Sequence, residues 1–226
     1  MKISPLLLAT LCAASWTTAP LRADPASDDA ANYSTWTNGD NQGAGFGNWD
    51  LTDNNNDGST NFAGYFLGDS TAGSGDINTS GQSFGIFANP SSAYANAIRG
   101  FANPLVEGEV FEIQLAVNFR NGNKGLSIND DTLGELFNFN VGGDDYQVNT
   151  NSLSLDYASD SIFSFRFEQK TGTTVGVRIE RDSTSFGNEV AFDQDLDFGA
   201  AMDNFKLYNT GTGTTEAPKT TSTSTT

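Results

Sequence analysis

Residues 110–119 read VFEIQLAVNF, and this stretch decides the fold class. Its large apolar side chains stand at every second position: Phe111, Ile113, Leu115, Val117 and Phe119. Successive side chains of a β-strand point to opposite faces, so these five would share one buried face and the residues between them the other. The stretch therefore predicts a β-strand with one face in water.

The same alternation returns along the chain, with no convincing run at helical spacing. Phenylalanines at 163, 165 and 167 and aliphatic residues at 175, 177 and 179 predict two strands, joined by a hairpin turn at residues 169–173. Further short strands are expected at residues 62–67, 83–88, 94–101, 136–141, 146–149, 189–192 and 202–208. Glycine, asparagine and aspartate fill the turns between them. We therefore expect an all-β protein, a single antiparallel β-sandwich of jelly-roll type.

The two ends of the chain differ from its middle. Residues 1–23 have a basic start, a short apolar run and a small residue at Ala23, which predicts a cleaved signal peptide and a secreted or cell-surface protein. The apolar run is too short for a membrane span, which needs about 20 residues. We expect residues 24–31 to be a flexible N-terminus, residues 32–209 the sandwich, and the Thr/Ser-rich residues 210–226 a disordered tail or linker.

Composition excludes several classes of function. The formal net charge is −17, and such an acidic surface repels nucleic acid and anionic membrane surfaces. The chain has no histidine, which removes Ser-His-Asp and Cys-His nucleophiles and His-ligated metal sites. Its one cysteine, Cys12, falls within the signal peptide. Carboxylate chemistry, calcium coordination and recognition by aromatic or amide groups remain.

An alternating oxygen-rich motif occupies residues 53–59, which read DNNNDGS. Asp53, Asn55, Asp57 and Ser59 would supply several of the six to eight oxygen ligands that calcium takes, and Gly58 permits the bend. The final bidentate carboxylate of an EF-hand loop is missing, so other ligands would have to come from elsewhere. The motif predicts a calcium site or, as the alternative, a solvated turn.

Two further acidic clusters have competing interpretations. Asp193, Asp195 and Asp197 would form a negative ridge in an extended segment, but an acidic solvated loop before the last strand is the favoured interpretation. Residues 107–112 read EGEVFE and resemble the Glu-x-Asp-x-x-Glu signature of laminarinase-type β-sandwich hydrolases, which implies Glu107 and Glu112 as a catalytic pair. The central position is glutamate rather than aspartate, and Glu107 is expected in the turn before the strand.

Aromatic and amide groups come together in residues 36–49, WTNGDNQGAGFGNW. Trp36 and Trp49 could stack on the apolar faces of sugar rings, while Asn38, Asp40 and Gln42 could bind their hydroxyl groups. The stretch predicts a glycan site in a loop. The alternative for each tryptophan is burial in the core.

Three stretches carry a family resemblance: WTNGDNQGAGFGNWDL, GDINTSGQSFGIFAN and AMDNFKLYN. Together they resemble a β-sandwich module of exported bacterial proteins, found alone or beside polysaccharide-degrading domains. The ending DNFKLY is similar to the last strand of many concanavalin-like and jelly-roll carbohydrate modules. The resemblance implies the fold and a glycan-rich setting, and it implies no catalytic residue.

These observations lead to one main functional hypothesis and two alternatives. We expect a secreted, non-catalytic module that binds polysaccharide or cell-surface glycan, for accessory or adhesive purposes, with calcium as a structural cofactor. Neither nucleic acid nor membrane insertion is expected. A structural surface or extracellular-matrix protein is the alternative, and a glycoside hydrolase using Glu107 and Glu112 is the weaker one.

Overall fold

The computed structural model describes residues 26–55, 61–72, 75–89, 92–143 and 145–211. These residues form thirteen β-strands and two short 3-10 helices, Ala30–Asn32 and Ser70–Ala72. The strands are β1 Phe46–Asp53, β2 Phe62–Gly68, β3 Ser83–Asn89, β4 Tyr94–Phe101, β5 Val110–Ala116, β6 Asn123–Asn129, β7 Glu135–Gly142, β8 Asp145–Val148, β9 Asn151–Ser152, β10 Ile162–Gln169, β11 Thr174–Asp182, β12 Glu189–Asp197 and β13 Asn204–Thr210. Across these ranges, no helix has the length and apolar character that crossing a membrane requires.

The strands form two sheets and a separate hairpin. Sheet A has seven strands in the order β1-β4-β13-β6-β7-β8-β9, and sheet B has four in the order β12-β11-β10-β5. Strands β2 and β3 pair only with each other within the described residues. All of these pairs are antiparallel. The predicted all-β antiparallel sandwich is confirmed, while the jelly-roll subtype stays a prediction.

Phenylalanine fills the space between the two sheets. Phe139 on β7 lies 4.8 Å from Phe163 and 4.9 Å from Phe165 on β10, measured between ring centroids. Phe137 lies 5.2 Å from Phe167 in the same way. Burying one large apolar side chain contributes about 1.5–3 kcal/mol, so this alternating pattern supplies the driving force that joins the sheets.

The β2–β3 hairpin covers the part of sheet A that sheet B does not reach. The Tyr65 hydroxyl lies 2.6 Å from the carbonyl oxygen of Thr52 and 2.9 Å from that of Asn96. On the other strand of the hairpin, the Ile86 carbonyl accepts a hydrogen bond of 3.1 Å from the Asn209 amide. Among the described residues, sheet B and the hairpin therefore cover the inner face of sheet A, and its outer face is open.

Residues 26–31 contact the rest of the domain, which corrects the expectation of a flexible N-terminus for these described residues; residues 24 and 25 lie outside the described ranges. Ser27 and Ala44 exchange backbone hydrogen bonds of 2.9 and 2.8 Å. The Asp28 carboxylate forms an ion pair with the buried guanidinium of Arg99 on β4. Residues 1–25 and 212–226 lie outside the described residues, and with them the predicted signal peptide and nearly all of the predicted tail.

The acidic segment before the last strand is a strand itself, so the interpretation of Asp193, Asp195 and Asp197 as a solvated loop is wrong. All three belong to β12. The Asp193 carboxylate lies 2.6 Å from the Arg178 guanidinium, and the Asp195 carboxylate lies 2.6 Å from the Lys170 ammonium. Cations supplied by the neighbouring β10–β11 hairpin make an extended acidic segment tolerable there.

Candidate functional site

The structure places both tryptophans of the predicted glycan loop in the core. Trp36 is 5% exposed and Trp49 is 3% exposed. The two rings meet edge to face at 5.1 Å, and Phe84 of the hairpin lies 4.8 and 5.5 Å from them. The prediction that their faces stack on sugar is therefore corrected, because neither ring presents a face to solvent. Packing of the hairpin against sheet A explains their burial.

The polar residues of the same loop serve mainly to fold it. Oδ1 of Asn38 accepts a hydrogen bond of 2.9 Å from the backbone N–H of Leu51, which lies on β1. Oδ2 of Asp40 accepts one of 2.7 Å from the backbone N–H of Thr37. Gln42 is exposed. The loop thus closes on itself, and the structure does not bring Asn38, Asp40 and Gln42 together around an open aromatic face.

The predicted calcium motif is only partly described. Asp53 ends β1, and its Oδ1 accepts a hydrogen bond of 2.9 Å from the backbone N–H of Asn55, as in an Asx turn. Asp57 and Ser59 lie outside the described residues. Within the described ranges, no three acidic, histidine or cysteine side chains form a group that could hold a metal ion. Calcium binding stays a prediction.

The two glutamates of the hydrolase hypothesis lie at the start of sheet B. Glu107 lies in a turn outside β5, as expected, and Glu112 lies on the strand. The Glu112 carboxylate is 3.6 Å from the Arg166 guanidinium and largely exposed. Neither glutamate lines either of the two concavities described below.

A polar groove of about 440 Å³ lies on the outer face of sheet A. Ligand sites typically occupy about 300–1,000 Å³. Six of the side chains that line the groove define what we call the amide face: Asn123, Asn138, Asn140, Gln147, Lys206 and Tyr208. They come from strands β6, β7, β8 and β13, which are neighbours in the sheet. The groove therefore presents an aromatic ring among amide groups, as a glycan site requires.

Tyr208 lies across the middle of the amide face. In the strand register Tyr208 stands opposite Gly125, and Gly125 stands opposite Asn140. The Tyr208 hydroxyl reaches past Gly125 to three acceptors, each at 3.2 Å: Oδ1 of Asn138, Oδ1 of Asn140 and the carbonyl oxygen of Phe139. A β-carbon on Gly125 would stand 3.0 Å from that hydroxyl and 1.9 Å from the Phe139 carbonyl. Glycine is thus required for the ring to lie flat on the sheet.

The hydrogen bonding of this face is unsaturated. A tyrosine hydroxyl carries one hydrogen, so it can satisfy only one of its three acceptors at a time. Further along β6, opposite Lys206 and Asn138 in the strand register, the Oγ of Ser127 is buried and has no hydrogen-bond partner among the described residues. Carbohydrate hydroxyls both donate and accept, so they match a face of amide groups that offers both functions.

The Tyr208 hydroxyl on the amide face keeps its proton into the alkaline range. Burial raises the pKa of Tyr208 to about 12; the Glu135 charge adds to this effect and the hydrogen bond with Asn138 opposes it. The hydroxyl is therefore neutral and able to donate at physiological pH. The Lys206 ammonium lies 5.6 Å from the centre of the tyrosine ring, where it can make a cation–π contact.

A second concavity of about 530 Å³ lies between β12 and the β8–β9 end of sheet A. Its lining combines aliphatic residues such as Val148 and Leu196 with Asp193, whose carboxylate is already paired with Arg178. The lining also contains the Phe192 ring and the amide groups of Asn149, Asn151 and Gln194, but it has no tyrosine, so no aromatic hydroxyl lies among these amides as Tyr208 does on the amide face. The amide face is therefore the better candidate site.

Comparison with known proteins found no matching family model, no matching curated protein and no matching solved structure. The functional conclusion therefore depends on the residues of this chain alone. The amide face was missed from sequence because its parts come from distant strands. The available signals were the alternating amides of residues 138–140, NFN, and the alternating Lys206 and Tyr208. Only the strand register shows that they meet.

Proposed function

We propose that this protein is a non-catalytic glycan-binding module that binds neutral polysaccharide through the amide face. The observation that carries the proposal is the Tyr208 ring, which lies across Gly125 with its hydroxyl shared among acceptors on β7. An aromatic ring surrounded by amide donors and acceptors supplies both the stacking and the hydrogen bonds that a pyranose needs. Export to the cell exterior is part of the proposal and agrees with the predicted signal peptide.

Charge favours a neutral rather than an acidic glycan. The chain has a formal net charge of −17, so uronic-acid or sulfated polymers would be repelled at long range. Two residues that line the groove carry a formal charge, Lys206 and Glu135, and their opposite charges offset each other. Neutral hydroxyl groups match the remaining amides without a charge penalty.

Affinity electrophoresis with soluble hydroxyethyl cellulose, xylan and glucomannan tests the proposal. We expect Tyr208→Ala to raise the dissociation constant about tenfold, because a central aromatic contact is lost. Tyr208→Phe should raise it less, because the ring remains. Phe119→Ala removes a phenylalanine that is 40% exposed and lies outside the groove, so it should bind as the wild type does. Wild-type affinity in folded Tyr208→Ala, or no binding to any polymer, would contradict the proposal.

Structural calcium at residues 53–59 is a separate proposal. A ligand that binds only the native state at 100 times its dissociation constant adds about 2.7 kcal/mol to the free energy of unfolding. For a domain of this size, the melting temperature would rise by roughly 5–10 °C. Melting in calcium should be compared with chelator and with magnesium at constant ionic strength. An equal rise of the melting temperature with magnesium would indicate general screening of the acidic surface. No rise at millimolar calcium would mean that residues 53–59 form a solvated turn.

A further inference from the structure

The β2–β3 hairpin has apolar side chains on both of its faces. Its inner face packs on sheet A, through Tyr65 and Ile86 among others. Its outer face carries three exposed phenylalanines, here named the aromatic platform: Phe62 is 61% exposed, Phe66 49% and Phe87 37%. Burial in the core cannot explain the second set. A cluster of exposed rings on a soluble domain commonly marks an interaction site.

Two of the platform rings lie close to the backbone at glycine positions, where no β-carbon stands in their way. A β-carbon on Gly85 would stand 2.2 Å from Cζ of Phe66, so this ring lies directly over Gly85. A β-carbon on Gly64 would stand 3.3 Å from the Phe87 ring. The ring centroids of Phe66 and Phe87 are 6.3 Å apart, with their planes inclined by 44°. Each ring thus has one face on the hairpin and keeps area exposed on the other.

The platform has little capacity for hydrogen bonding. The residues at alternate positions on this face are Phe62, Gly64, Phe66 and Gly68 on β2, and Ser83, Gly85, Phe87 and Asn89 on β3. None of the eight carries a charge. Ser83 already donates its hydroxyl hydrogen to the Gly68 carbonyl at 3.1 Å. A ligand that binds here must offer an apolar surface, and the polar groups of that ligand must have hydrogen-bond partners other than the platform.

We propose that the aromatic platform is a second binding surface, which adsorbs the protein to insoluble neutral polysaccharide. The choice of a glycan as ligand rests on the proposed function. In a packed polysaccharide the hydroxyls hydrogen-bond to neighbouring chains, and the C–H faces of the sugar rings are left at the surface. Such a surface matches three rings with few polar side chains among them, whereas a single dissolved chain needs the hydrogen bonds of the amide face.

Size and charge argue against the other occupants. Three phenylalanines at these exposures offer roughly 300 Å² of contact, since one such ring buries about 200 Å². A stable protein interface needs about 800 Å² on each partner. A second copy of the chain would bring another net charge of −17, and an anionic membrane would be repelled in the same way. A neutral solid carries no opposing charge, and adsorption to it does not require a matching protein surface of about 800 Å².

Adsorption to microcrystalline cellulose and to chitin powder, measured as the partition coefficient of the full chain, tests the proposal. The double variant Phe66→Ala/Phe87→Ala should lower the partition coefficient at least tenfold and leave retention by soluble polymers unchanged. Phe119→Ala is the matched control for loss of an exposed ring and should adsorb as the wild type does. A second double variant, Phe66→Leu/Phe87→Leu, keeps apolar side chains over the two glycines but removes the aromatic rings. If this variant loses adsorption while its melting temperature is unchanged, the loss is due to the missing ring faces and not to unfolding.

The outcomes separate this proposal from the proposed function. Wild-type protein that binds soluble polymers but neither powder would overturn the platform and leave the amide face standing. Protein that binds neither form would remove both. Folded double variants that adsorb like the wild type, or that lose soluble binding as well, would overturn a separate platform. A wild type that sediments as a dimer, with monomeric double variants, would assign the platform to a second copy instead.

Discussion

The outer faces of the two sheets are both exposed to water, but they carry different kinds of polar side chain. On sheet B, charged side chains pair with one another, both within a strand and between neighbouring strands. Arg178, for example, lies 2.6 Å from both Glu180 and Asp193. On sheet A, the amide face has a flat tyrosine whose hydroxyl has more acceptors than hydrogens.

The difference indicates which face is available to a ligand. A paired charge must give up its partner before it binds anything else, and the exposed pairs on sheet B are already solvated. Amides around an aromatic ring lose little when a hydroxyl-rich ligand replaces water, because donors and acceptors exchange one for one. We therefore interpret sheet B as the solvated side of the sandwich, and sheet A carries the proposed recognition side.

The largest expected effect tests the assignment of the tryptophans to the core. Trp49→Ala should lower the free energy of unfolding by about 3–5 kcal/mol, because a large buried ring is lost. Denaturant unfolding measures this loss, and the affinity of the remaining folded protein for glycan should not change. Weaker glycan binding at unchanged stability would place the glycan site in residues 36–49 and contradict its assignment to the amide face.

Two glycines, one on each outer face, provide a matched pair of intermediate effect. On Gly125 of sheet A a β-carbon meets the Phe139 carbonyl at 1.9 Å, so Gly125→Ala should cost about 1–3 kcal/mol of stability and displace Tyr208. On Gly176 of sheet B it meets the flexible end of Lys170 at 2.6 Å. Gly176→Ala should therefore stay within about 0.5 kcal/mol of the wild type. Equal losses in denaturant unfolding would mean that the two faces do not differ in rigidity.

The raised pKa of Tyr208 predicts a smaller, alkaline effect. Burial stabilises the protonated phenol, so its folded pKa of about 12 lies above the ordinary value of 10. The stability that it contributes is complete below pH 10 and is lost as the pH rises through 12. Stability measured from pH 9 to 12 should therefore fall less steeply in Tyr208→Phe than in the wild type. Identical profiles would show that the hydroxyl is not buried as described.

The smallest effect is expected on sheet B. Arg178→Gln removes the cation from two pairs whose side chains are 39–59% exposed. Exposed pairs contribute about 0–1 kcal/mol, and salt screens them. The loss of stability should therefore be small and should shrink further between 0.05 and 0.5 M sodium chloride. A large, salt-independent loss would make this network structural and contradict the description of a solvated face.

The sequence predicts strands well where one face is wet and the other is dry. Strand β4 has the bounds expected, and β10 and β11 follow the predicted alternation of Phe163–Phe167 and Val175–Ile179. Strand β6 was missed because six of its seven residues are buried, including Lys124 and Ser127, which removes the alternation. Strand β1 was missed because its Gly/Asn-rich approach has the composition of a loop.

The candidate site was beyond sequence reasoning for a different reason. Tyr208 and Asn138 are 70 residues apart and meet only because β6 lies between β13 and β7. Arg178 and Lys170 likewise turn the predicted acidic loop into a strand through contacts that composition does not show. Periodicity reports which face of a strand is buried, but it does not report which strands are neighbours.

Chemical-shift mapping of the uniformly ¹⁵N-labelled protein with soluble xylo- and cello-oligosaccharides tests the central claim most directly. The account predicts shifts concentrated in β6, β7 and β13, including the side-chain amide signals of Asn138 and Asn140, and none along β10, β11 and β12. Shifts confined to sheet B or to residues 36–49, or no shifts with any neutral oligosaccharide, would contradict it.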